Sequence, residues 1–178
     1  MSALKRISVS TLVLIAACVP VYSAPAARGD DAQRLSKNGR TAGVIDGVEV
    51  ELEYGRPNVK AREIWGDLVP YGEVWRTGAD EATTISFSAD VLLKGESLKA
   101  GTYGLFTIPT ASEWTVIFNK VSEQWGAFRY DADQDALRVT VEPRENEHVE
   151  TMDFVIAGNE IVLRWERLAV PIAVRAVQ

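Results

Sequence analysis

The sequence predicts an all-β protein, an antiparallel β-sandwich or flattened barrel of about 9–11 short strands. Three observations carry that expectation. Apolar residues recur with a period of two along most of the chain, turn-forming clusters interrupt them at short intervals, and no stretch shows a long apolar stripe at helical spacing.

The clearest strand is "GVEVELEY", where Val48, Val50, Leu52 and Tyr54 alternate with Glu49, Glu51 and Glu53, as in a strand with one wet face. Asp46-Gly47 before it is a dipeptide favoured in two-residue type I′ turns, so residues 41–45 are predicted to pair back on residues 48–54. Further strands are predicted over residues 82–88, 90–94, 102–108, 113–119, 125–130, 136–142, 149–156, 160–167 and 170–175. "KGES", "KAG", "IPTAS", "EPRENE" and "AGNE" supply turns between them. One short helical turn is expected near residues 61–68. Phe87, Phe106, Phe118 and Phe154 alternate towards a core, and Trp114 and Trp165, inside strands, also read as core.

The chain has 178 residues, 47% apolar and 25% charged, which suits a single sandwich domain over residues 41–178 with extra sequence in front. "MSALKRISVSTLVLIAAC" has a basic start at Lys5 and Arg6 and an apolar run from Ile7 to Ala17, the pattern of an export signal over residues 1–17. That run is shorter than the roughly 20 residues of a membrane span. "IAAC", residues 15–18, resembles the bacterial lipobox, which makes Cys18 a lipidation site and the mature N-terminus. The other reading is ordinary secretion, with cleavage in "VYSAPAA" after Ser23 or Ala26. Residues 18–40 are rich in Pro, Ala and charge and are expected to be a flexible tether, and the "RGD" at residues 28–30 carries no weight there. The expected location is periplasmic or outer-membrane-associated, or secreted. The net charge of −6 becomes −8 beyond Cys18, because Lys5 and Arg6 are the only charges before it. That balance argues against nucleic acid as a partner, and membrane contact is expected only through the lipid.

Residues 54–83, "YGRPNVKAREIWGDLVPYGEVWRTGADEAT", lack alternation yet are dense in rings and charges. Long loops on a rigid sheet are where binding concentrates. Trp65, Tyr71 and Trp75 offer ring faces, Arg56, Lys60, Arg62 and Arg76 offer cations for anionic or hydroxylated groups, and Asp80 and Glu81 orient the arginines or the ligand. The competing reading is packing, with the rings capping an end of the sandwich and Arg76 paired to Asp80 or Glu81.

That run, together with "AGTYGLFTIP", "EWTVIFNK" and "DALRV", resembles the bacterial exported family catalogued as domain of unknown function 2911 (DUF2911), from about Val48 to Arg175. The resemblance implies export and this fold, and no activity. Two positions depart from the family pattern: Ala61 stands where glycine is expected, and Asp80 where asparagine is common.

Other chemistry is poorly supported. The single histidine, His148, lies in a charged turn, which excludes a His-based triad or a multi-histidine zinc site. Cys18 is in the signal, and neither "GxxxxGK" nor a helix-opening "GxGxxG" occurs, so no cofactor is expected. "DADQDALRVTVE", residues 131–142, spaces acids like a calcium loop but has Ala136 where the sharp turn wants glycine, so no metal is expected. Asp67, Glu73, Asp80 and Glu81 are close in sequence, as a hydrolase would need, but acids beside Arg76 stay ionised. The expected function is binding of a small ligand or a cell-envelope component through residues 54–83. The alternatives are a carboxylate-dependent hydrolase and a structural envelope protein.

Overall fold

The computed structural model describes residues 28–177, so the export signal and Cys18 lie outside the described residues. Ten strands form two antiparallel sheets. The first holds β1 (Lys37–Ile45), β2 (Val48–Arg56), β3 (Thr83–Phe87), β6 (Gly101–Pro109), β7 (Trp114–Asn119) and β8 (Asp135–Val141), hydrogen-bonded in that order. The second runs β5 (Glu96–Leu98), β4 (Val91–Leu93), β10 (Glu160–Ala176), β9 (Arg144–Ala157). No barrel closes, since β1 and β8 remain the edges of the first sheet. No helix among the described residues is long and apolar enough to cross a membrane.

The first hairpin forms as its turn dipeptide requires: Ile45 lies opposite Val48, and Asp46 and Gly47 have φ of 49° and 82°. Alternation then fills the space between the sheets. Val50, Leu52, Ile85, Phe87, Leu105, Val116 and Phe118 meet Leu93, Met152, Phe154, Leu163, Ile172 and Val174, all buried in one cluster. The Tyr54 hydroxyl locks the layers together, lying 2.9 Å from the Thr41 hydroxyl and accepting the Phe154 N–H at 3.1 Å. Phe106 is buried on the opposite face, where it forms a small outer cluster with Ala82 and Ile117.

Several elements differ from expectation, each for a local reason. The strands expected at 160–167 and 170–175 are one, β10, whose inward face changes phase at a bulge around Glu166, φ 56°. Ile161, Leu163 and Trp165 face inward before it and Val170, Ile172 and Val174 after it. β9 begins at Arg144, inside the expected turn "EPRENE", because an edge strand accommodates charged side chains. "KGES" contains both a turn and the short β5. Residues 125–130 form a loop, not a strand, and residues 61–68 form turns, not a helix; among the described residues the single helical turn is the 3₁₀ segment Ala132–Gln134. Within the stretch expected to be a tether, β1 begins at Lys37, and Arg28 and Arg34 hydrogen-bond to the domain.

Gly55, near the end of β2, allows a close approach of two backbone segments, because a Cβ there would overlap the Ala79 carbonyl oxygen. Gly55→Ala is expected to cost about 3 kcal/mol or to prevent folding. Urea unfolding of the variant beside the parent protein checks this.

Candidate functional site

The segment joining β2 to β3 is fastened at three places. Residues 57–59 leave the first sheet and pair with the second: Val59 N–H donates to Glu150 O at 2.8 Å and Met152 N–H to Pro57 O at 2.9 Å. Trp75 exchanges backbone hydrogen bonds with Thr107 of β6, at 2.7 and 2.9 Å, continuing the ladder beyond the place where β3 pairs. Ala82 N–H donates to Gln124 O at 2.9 Å and Gly126 N–H to Asp80 O at 3.0 Å, joining the segment's end to the loop after β7.

Four indoles meet beneath it. Trp65 stands edge-on to Trp75, Trp114 and Trp165, with ring centroids 5.9, 4.9 and 5.6 Å away, and Trp75 stacks on Trp165 at 5.9 Å and 18°. Trp114 comes from β7 and Trp165 from β10, so the cluster spans both sheets and the crossover. The Trp75 indole N–H donates to Gly78 O at 3.2 Å.

Beside the cluster lies a cavity of about 250 Å³ lined by Trp75, Trp165, Arg62, Arg76 and Asp80, with Leu35 and Ser36 forming part of its wall. A second cavity, of about 230 Å³, shares Leu35, Ser36 and Arg62 and adds Asn58 and Lys60. The structure therefore brings Arg62, Trp75, Arg76 and Asp80 to one hollow and Lys60 to its neighbour. It does not bring the rest there. Arg56 donates to Met152 O at 3.3 Å, Trp65 is inside the indole cluster, and Tyr71 lies 43% exposed over Gly66.

Glu81 belongs to a different network. Arg34 grips it with both terminal nitrogens, at 2.6 and 2.5 Å, and reaches Asp80 at 3.4 Å. Arg28, only 7% exposed, donates to the carbonyls of Glu53, Ala79, Glu81 and Ala82 and reaches the Glu81 carboxylate at 3.3 Å. The Arg34 hydrogen bonds, more than any other contact, hold the Glu81 carboxyl down at about 2. Burial lowers the Arg28 pKa, with Glu81 opposing, and burial lowers that of Arg76, opposed by Asp80.

The pairing of Arg76 with Asp80 or Glu81 is thus corrected: those acids are taken by Arg28 and Arg34. The Arg76 side chain is half-buried, makes no hydrogen bond or salt bridge with the described residues, and has its Nε sealed from solvent, while the backbone carbonyl accepts the Thr83 N–H at 3.1 Å. Arg28, Arg34, Leu35, Ser36 and Trp165 are the contributors sequence reading missed. Arg28 sits in the "RGD" of the expected tether, and its partners Ala79, Glu81 and Ala82 are more than fifty positions away, so no local pattern marks it.

A family model described as "Protein of unknown function (DUF2911)" matches residues 36–174. The chain belongs to this family. No curated protein and no solved structure matches it. Ala61 and Asp80, where the sequence resemblance leads one to expect glycine and asparagine, have φ of 53° and 62°, the left-handed region that favours those residues.

Asp67 and Glu73 are exposed, and no group of three metal-ligating side chains occurs among the described residues. In the calcium-like loop, Asp131 caps the 3₁₀ turn, while Asp135 accepts from Tyr130, Arg138 and Asn119.

Because the Glu81 carboxyl is depressed on folding, its contribution is complete above about 4.5 and is lost as pH falls towards 2. Partial exposure screens it to about 1–2 kcal/mol. Glu81→Gln is expected to lower stability by that amount at neutral pH and to converge with the parent near pH 2, as measured by urea unfolding across that range.

Proposed function

We propose that the protein is an exported, lipid-anchored binding domain for a small anionic molecule, held in the cavity between Arg62, Arg76 and the faces of Trp75 and Trp165. One observation carries the reading. Arg76 presents a guanidinium beside the hollow with no acid or carbonyl of the described residues in hydrogen-bond reach, Asp80 acting on it only through its charge, and its buried, unpaired Nε–H costs about 1–3 kcal/mol. A planar fork of N–H groups matches a carboxylate or phosphate oxygen pair, and a ligand would supply the missing acceptors. Stacked indoles beside it offer apolar contact, and Asp80 at the rim holds the local field positive only in part, which suits a ligand carrying a hydroxyl or amine besides its anion.

The size of the hollow selects the ligand. At about 250 Å³ it is smaller than the roughly 300–1,000 Å³ of pockets for drug-sized compounds, so a compact organic acid or phosphate is favoured. Export and acylation are supported by the basic start, the short apolar run and "IAAC" before Cys18. They place the site outside the cytoplasm, where a tethered binding domain meets solutes of the envelope.

If Arg76 is kept for a ligand, removing it relieves the unliganded protein. Arg76→Met is expected to raise stability without ligand by about 1 kcal/mol. It is also expected to abolish the thermal shift that acetate, succinate, citrate or phosphate gives the parent protein. Scanning both proteins against those anions checks this. A variant that loses stability, combined with a parent that no anion shifts, removes the reading.

A further inference from the structure

The loop between β7 and β8 carries side chains that its own packing does not use. Val121, Trp125 and Phe128 are 41%, 58% and 87% exposed. The loop does cover an apolar patch, the outer cluster around Phe106, but it does so with Ala127 and Tyr130. Phe128 instead lies against Gly126, so Trp125 and Phe128 form a solvent-facing apolar tip.

The position of this tip relative to the leader gives it meaning. Arg28 is bound to the carbonyls of Ala79, Glu81 and Ala82. Residues 80–82 of the same stretch hold the loop, through Ala82 N–H to Gln124 O at 2.9 Å, Gly126 N–H to Asp80 O at 3.0 Å and the bridge between Glu81 and Trp125. Arg28, the first described residue, is therefore held close to the loop that carries Trp125. Nine residues lie between Cys18 and Arg28, a length that reaches at most about 35 Å.

We infer that the Trp125–Phe128 tip inserts into the interfacial layer of the phospholipid membrane that carries the Cys18 anchor. The inference rests on the acylation reading of the proposed function. A tryptophan beside an exposed phenylalanine suits the headgroup boundary, where one ring keeps a polar edge wet and the other is buried. Exposed Lys120 and Arg129 flank the tip and meet lipid phosphates. Glu123, Asp131 and Asp133 share the loop, and the chain beyond Cys18 carries −8, so insertion is driven by apolar burial and not by attraction to anionic lipid. The short leader supplies the high local concentration that so small a tip needs.

The other four tryptophans form the internal cluster, so quenching by lipid reports Trp125. Acylated protein, verified by mass at its N-terminus, is reconstituted into phosphatidylethanolamine–phosphatidylcholine vesicles with brominated acyl chains. Quenching is expected, and F128S is expected to weaken it about threefold or more. Quenching absent in acylated protein, or unchanged by F128S, overturns the insertion while leaving the anchor intact. A mature chain without acyl groups overturns the anchor and the inference together. Self-association that F128S abolishes, without quenching, assigns the tip to a second copy of the chain and also overturns it.

Discussion

Contact among Trp65, Trp75, Trp114 and Trp165 is the constraint on which the rest of the arrangement depends. Two of these rings belong to facing sheets and two to the crossover, so one interaction fixes the sheet spacing and the course of a segment with no strand of its own. Edge-to-face pairs contribute about 0.5–1.5 kcal/mol each beyond area burial, and several share the same rings. Three of the four indole nitrogens make no conventional hydrogen bond, which means ring packing and not polar pairing holds the group. A crossover fixed by large rigid rings leaves gaps beside them, and the cavity at Trp75 and Trp165 is such a gap.

Charge is then distributed around that packing. Asp80 and Glu81 follow Arg76 closely in sequence, yet a guanidinium from residue 34 takes both, and one from residue 28 secures the backbone that carries them. The N-terminal strap performs two tasks with one stretch of chain. It neutralises the acids that would otherwise pair with Arg76, and through Leu35 and Ser36 it walls the hollow Arg76 borders. A buried cation kept from nearby acids is expensive, and such an arrangement survives most readily where an outside anion completes it.

How much of this was legible follows from the range of the forces involved. Strands were visible because alternation is a local consequence of half-burial, and the β1–β2 turn because Asp46-Gly47 states its own dihedrals. The bulge at Glu166 hid the unity of β10 because it changes the inward phase, and sequence reads a phase change as a break. The crossover was recognisable by its composition, and Trp75, Arg62, Arg76 and Asp80 do share a cavity. What joins them to residues 28–36 was not legible, since Arg34 and Glu81 are 47 positions apart and an arginine in a polar leader has no periodicity to betray it. Tyr71 shows the converse error: an aromatic ring in the right stretch of sequence reads as a stacking face, while the fold leaves it over Gly66 at the surface.

Backbone strain separates a packed corner from a built site. Lys60, Ala61, Thr77 and Asp80 all have positive φ, with Thr77 at 55° despite its branched side chain, a conformation sparsely populated for such a residue. Thr77 is held there from several sides: its hydroxyl donates to Thr107 Oγ1 at 3.1 Å, and its carbonyl accepts the Thr83 hydroxyl at 2.7 Å. Trp75 on one side is bonded to β6 and Gly78 on the other carries the indole hydrogen bond, so Arg76 sits between fixed neighbours. A corner that only capped the sandwich would gain nothing from an unfavourable dihedral that costs about 1–3 kcal/mol. Here the strain turns the chain at the residue after the unpaired arginine, and the surrounding hydrogen bonds fix the backbone from which its side chain reaches the cavity wall. Preorganisation of that kind lowers the ordering cost of binding, which is the physical return on holding Arg76 without a partner.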